Sequence, residues 1–130
     1  MFVDASVLVA ILTEESDGSE WSRRLQEAEG LVTSPVAVFE TVVSVARKDR
    51  LPIPVVASEV NLFLDRAEID TRAISPDVGH SALAAYARYG KGQGHPARLN
   101  LGDCFAYAMA KRHGVPLLYK GDDFSQTDLA

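Results

Sequence analysis

Five carboxylates fall where an α/β chain could bring them to one place. Asp4 directly follows the apolar opening Met1-Phe2-Val3, and Glu40 stands in the second turn of a helix that begins after Ser34. Asp103 lies at the start of the small-residue stretch LNLGDCFAYAMA, and Asp122 and Asp123 follow the apolar run Val115–Tyr119. In an open α/β sheet the ligand site lies outside the carboxyl ends of the strands. All five acids can face that edge despite their distance in sequence. Two carboxylates about 5 Å apart repel by roughly 3 kcal/mol at an effective dielectric of about 20, and a divalent cation removes that penalty. A set of oxygen donors without Cys or His points to Mg²⁺ or Mn²⁺ rather than zinc. Such ions suit phosphate chemistry, in which they activate water and neutralise charge on the phosphate.

Each acid also has a plainer reading. Asp4 can cap the helix that follows it, and Asp103 can sit against a helix dipole with Asn100 as the cap. Asp122 and Asp123 can be turn residues. Glu40 is harder to explain away. Its helical neighbours are Val36, Ala37, Val43 and Ser44, with no base placed to pair with it. A glutamate on so apolar a patch belongs at a cleft or beside a buried partner. Asp103 stands similarly above Ala106, Tyr107 and Ala110.

The elements that must hold these groups can be traced along the chain. Residues 1–3, 31–33, 71–74 and 115–119 read as strands. Helix-spaced apolar residues fill about 5–12, 17–29 (Trp21 and Leu25 inward), 35–48, 53–68, 76–89 and 101–113. Ser34-Pro35 and Ser75-Pro76 are helix-start signals, and Gly114 is a helix stop. Strands alternating with helices imply an α/β fold with a parallel sheet between helical layers. Strand order is not readable from this pattern. Val55, Val56, Val60, Phe63 and Leu64 form a core face or a contact surface, and Phe105 and Tyr107 read as core.

Composition narrows the classes. The 130 residues are 47% hydrophobic and 24% charged with net charge −5, which fits one globular domain over residues 1–130 and excludes a broadly cationic nucleic-acid-coating surface. The single Cys104 suits a reduced, cytoplasmic protein. No apolar run is long enough for a membrane span, and the N-terminus lacks the pattern of a signal peptide. The acid-free stretch RYGKGQGHPAR holds Arg88, Lys91, His95 and Arg98 directly before Asp103. It is either a flexible basic loop steering a nucleic-acid backbone or simply a solvated loop. His80 and His113 read as surface residues.

Through MFVDASVLVAIL, LNLGDCFAYAMA and LLYKGDDFSQTDL, essentially the whole chain resembles the PIN-domain ribonuclease toxins of the VapC type, from bacterial toxin–antitoxin pairs. That resemblance implies a three-layer α/β/α PIN-like fold with a central parallel sheet. It also implies an Mg²⁺- or Mn²⁺-dependent endoribonuclease that hydrolyses RNA phosphodiester bonds with metal-activated water. Asp4 and Asp103 match the principal metal ligands, and Glu40 matches the family's glutamate on the helix after the second strand. Many PIN domains place an Asp immediately after the last strand. Here Gly121 comes first and Asp122 and Asp123 follow, so both remain candidates. Ser6 matches a small polar residue that holds the Asp4 loop or a metal-bound water. Arg88, Lys91 and Arg98 are the candidate RNA contacts. A homodimer and a cognate VapB-type antitoxin, whose C-terminal segment covers the active site, are implied as partners. The alternatives are a catalytically silent PIN-like binding module, a receiver or phosphatase-type domain, and a nuclease for structured DNA.

Overall fold

The computed structural model describes all 130 residues. Four two-residue strands form a parallel sheet: β1 (Phe2–Val3), β2 (Val32–Thr33), β3 (Asp70–Thr71) and β4 (Leu117–Leu118), in the order β3-β2-β1-β4. Six helices surround it: α1 (Ala5–Leu12), α2 (Gly18–Glu27), α3 (Pro35–Asp49), α4 (Ile53–Arg66), α5 (Pro76–Tyr89) and α6 (Leu101–His113). The first strand is therefore central, with Phe2 opposite Val32 and Leu117. The third strand is shorter than the expected 71–74 and begins one residue earlier. Its two residues are exposed at the sheet edge.

Strand residues alternate between two cores, as a period of two requires. Phe2 and Val32 join a 15-residue cluster with Val78, Tyr89, Leu99 and Met109 from the α5 and α6 side. Val3 and Leu118 join a 13-residue cluster with Val7, Val45, Val56, Val60 and Leu64 from α1, α3 and α4. The result is the expected three-layer α/β/α arrangement. Val56, Val60 and Leu64 turn the apolar stripe of α4 inward, and Val55 is left exposed. Trp21 is only half-buried: its Nε1 donates to Asp17 at 3.0 Å and Arg24 lies over its ring. Phe105 and Tyr107 are likewise half-buried rather than core. No helix is long and apolar enough to cross a membrane.

Helix starts bring the polar residues to the sheet's carboxyl edge. Asp4, Ser34, Ser75 and Asn100 each accept a main-chain N–H at the head of α1, α3, α5 and α6. Pro35 and Pro76 fill first-turn positions where no N–H is needed. Gly114 ends α6 in the left-handed conformation at φ 62°, the common glycine stop.

Candidate active site

Asp4 leaves the central strand and caps α1. Its Oδ2 accepts the Ser6 N–H at 3.1 Å and the Ser6 hydroxyl at 2.5 Å. Asp103 belongs to a reciprocal box at the head of α6: its Oδ2 accepts from the Asn100 N–H at 3.0 Å, and Asn100 Oδ1 accepts from the Asp103 N–H at 2.9 Å. The plainer capping roles thus exist, and each uses one oxygen of its carboxylate. Each carboxylate commits Oδ2 to its cap. No fully buried side-chain oxygen or nitrogen lacks a partner, so the remaining oxygens stay within reach of solvent. Asp4 and Asp103 are nonetheless buried, at 7% and 9% exposure.

These two acids line one cleft of about 400 Å³ with Glu40, Asp123, Ser6, Ser44, Asn100, Lys120, Gly121 and Glu15. Their proton affinities show the crowding. Burial, and then the charges of Asp4 and Asp103, push the Glu40 carboxyl up to about 7. Asp103 is pushed up to about 6, first by burial; the Asn100 N–H opposes this, and Asp123 and Asp4 add to it. Asp4 is also raised by burial, against the lowering effect of its bonds to Ser6, with Asp123 contributing repulsion. Four carboxylates from β1, α3, α6 and the segment after β4 therefore feel one another.

The chain separates Asp122 from Asp123. Asp123 lines the cleft, whereas Asp122 does not. The Asp122 carbonyl accepts from the Ser125 N–H at 3.1 Å and the Ser125 hydroxyl at 2.6 Å, closing a turn that contains both acids.

The donors are all oxygen, and burial together with repulsion favours a cation among them. No three His, Cys, Asp or Glu side chains are gathered closely enough to hold an ion between them as they stand. What bears on a cation is the donor chemistry alone: oxygens without Cys or His suit a hard divalent ion. The residues present fit such an ion.

Two contributors were not legible in the sequence. A Cβ at Gly102 would overlap the Glu40 carboxylate, so the glycine lets α6 approach α3 at the site. A glycine inside a first helical turn, between a cap and an acid, is the available signal. The other is Lys120, joined to Glu15 and Asp17 by ion pairs of 3.1 and 2.9 Å.

The basic segment lies outside the cleft, and its base is pinned rather than free. The Lys91 N–H donates to the Leu99 carbonyl and the Leu99 N–H to the Tyr89 carbonyl, both at 2.9 Å. Tyr86 Oη donates to the Lys91 carbonyl at 2.9 Å. Arg88 lies over the Tyr89 ring at 4.6 Å, and His95 meets the same ring edge-on at 4.8 Å. Lys91 and Arg98 are exposed, as are His80 and His113. An apolar strip flanks the cleft. Phe39, Leu83 and Leu101 are 70%, 69% and 67% exposed, beside grooves of about 480 and 490 Å³ that both include Leu101.

Comparison with known proteins agrees with this architecture. The PIN domain family matches residues 1–129. A VapC ribonuclease of Rhizobium meliloti is 48% identical over 98% of both chains. Ribonuclease VapC42 of Mycobacterium tuberculosis is 40% identical over 99% of this chain and 96% of its own. Among solved structures, VapC20 of M. tuberculosis, a toxin that cleaves the sarcin–ricin loop, superposes with a TM-score of 0.75 at 16% identity, covering 95% of this chain and 92% of that one. A toxin–antitoxin complex from Klebsiella pneumoniae gives 0.72 at 19% identity, covering 98% and 92%. The chain belongs to the PIN domain family and, within it, to the VapC ribonucleases.

Proposed function

We propose that this chain is a divalent-metal-dependent endoribonuclease, the toxin of a toxin–antitoxin pair, acting as one domain over residues 1–130. The observation that carries the reading is the convergence of Asp4, Glu40, Asp103 and Asp123 on one cleft at the carboxyl edge of the sheet. Asp4 and Asp103 would be the principal ligands, with Asp123 beside them. When bound there, Mg²⁺ or Mn²⁺ would supply a nucleophile at neutral pH and neutralise charge on the phosphate. Ser6 fixes the Asp4 carboxylate through two hydrogen bonds. Glu40, which the charges of Asp4 and Asp103 reach in the same cleft, would position the ion or its water. The exposed Lys91, Arg98 and Arg88 would follow the RNA backbone on the flank next to α6.

Two partners fit the same surfaces. The acidic cleft suits a cation-bearing segment of an antitoxin, which would block the carboxylates directly. The charge-poor strip of Phe39, Leu83 and Leu101 carries both projecting side chains and grooves, as a self-complementary two-fold contact requires; it supports a homodimer. RNA and antitoxin would meet this chain in the cytoplasm.

The test is cleavage of total cellular RNA with Mg²⁺ or Mn²⁺, set against EDTA and against Asp4→Asn, whose amide oxygen can still cap α1. Metal-dependent cleavage that the variant loses supports the reading. Cleavage by Asp4→Asn at the wild-type rate overturns it.

A further inference from the structure

The cleft is lined by five acids and a single cation, Lys120. Its ammonium is held by Asp17 Oδ1 at 2.9 Å and Glu15 Oε1 at 3.1 Å, two acids of the turn between α1 and α2. Its main-chain N–H reaches the opposite end of α1, donating to Ser6 Oγ at 2.9 Å. Ser6 Oγ in turn donates to Asp4 Oδ2. One residue thus ties the segment after β4 to both ends of the helix that Asp4 caps.

Asp123 stands three residues further on, past Gly121 at φ 100°, a backbone turn that glycine adopts most readily. Asp123 is exposed, so packing does not set its direction. The next residue, Phe124, is buried, and its ring meets that of Tyr119 at 5.0 Å. The turn bearing Asp123, closed by the Ser125 bonds to the Asp122 carbonyl, therefore sits between a core anchor at Phe124 and a rim anchor at Lys120.

We propose that Lys120 is a positioning residue: its ion pairs with Glu15 and Asp17 hold Asp123 within reach of Asp4 and Asp103, and so set the cleft's affinity for a divalent cation. The inference rests on the metal-dependent reading above. It differs in sign from an ordinary charge effect. Removing a cation from an acidic cleft should tighten cation binding by simple electrostatics. Removing a positioning group should weaken it, by roughly 10-fold on the scale of outer-shell partners.

The experiment titrates the purified chain with Mn²⁺ and reads free Mn²⁺ by electron paramagnetic resonance, in wild type, Lys120→Met, Lys120→Arg, Asp123→Asn and the double variant Lys120→Met/Asp123→Asn. Circular dichroism melts verify that each is folded. We expect Lys120→Met to raise the dissociation constant about 10-fold and Lys120→Arg, which keeps the ion pairs, to stay within about 3-fold of wild type. In the Asp123→Asn background the Lys120→Met change should have no further effect. Equal or tighter binding by Lys120→Met overturns the proposal, as does an undiminished loss when Asp123 is already neutralised. Absence of Mn²⁺ binding by the wild-type chain overturns the metal-dependent reading itself, a separate and recognisable result.

Discussion

Replacing Glu40 with Gln should make the metal-free protein more stable while impairing its chemistry. The Glu40 carboxyl is raised from 4.5 to about 7, chiefly by burial and then by Asp4 and Asp103. At about 1.36 kcal/mol per pH unit, keeping it ionised in the fold costs on the order of 3 kcal/mol. The side chain lies at a cleft open to water, which leaves about 1–2 kcal/mol to be observed. A carboxyl whose folded pKa exceeds its unfolded one binds more protons in the folded state. Stability is therefore greatest below about 4.5, declines as pH climbs towards 7, and carries the full cost above that. The amide of Gln is never charged and avoids this decline. In EDTA at pH 8, Glu40→Gln should melt roughly 3–10 °C above wild type, since 1 kcal/mol moves Tm by about 3–5 °C in a domain of this size. At pH 4.5 the two melting curves should nearly coincide. Adding Mn²⁺ should then favour wild type, because a ligand at 100 times its Kd stabilises by about 2.7 kcal/mol and the variant has lost a carboxylate. Two results would refute this reasoning: no gain in Tm at pH 8, or a gain of the same size at both pH values, which would indicate packing rather than charge.

Four further expectations are open to direct measurement. Gly102→Ala should displace the Glu40 carboxylate and lower the cleavage rate by about 10-fold or more while leaving Tm within a few degrees, read by RNA cleavage and thermal melts. Asp122→Asn should cleave at close to the wild-type rate, whereas Asp123→Asn should lose at least about 10-fold; equal losses would contradict the placement of these two residues. Lys91→Gln with Arg98→Gln should weaken RNA binding at low salt and reduce the slope of log affinity against log salt by about two, in filter-binding titrations. Phe39→Glu should abolish the proposed homodimer in sedimentation, because a charge in the middle of an apolar contact is costly to bury.

Much of this architecture was legible because local chemistry and global fold agree. Ser34-Pro35 and Ser75-Pro76 announce helices that begin where their caps stand, and Asp4 and Asp103 are legible as acids at helix heads. Glu40 was conspicuous because its helix gives it no partner. The order of the strands was not legible, since alternating strands and helices are compatible with several parallel arrangements. The choice between Asp122 and Asp123 depended on the path taken beyond Gly121, which spacing does not encode. Gly102 and Lys120 are illegible in the sequence for a related reason. Their roles exist only across the gap between elements, where a missing Cβ admits Glu40 and an ammonium reaches Glu15 and Asp17. Phe105 and Tyr107 have the spacing of core residues. They are instead partly covered: Phe105 borders an apolar groove, and the Tyr107 hydroxyl donates to Asp128 at 2.6 Å.

The shortness of the sheet also bears on how the chain fails when it is stressed. At its β3 edge the sheet offers only Asp70 and Thr71, both exposed, with Asp70 paired to Arg72 at 3.2 Å. A charged edge two residues long is a poor template for strand addition. Concentrated folded protein should therefore resist strand addition at that edge.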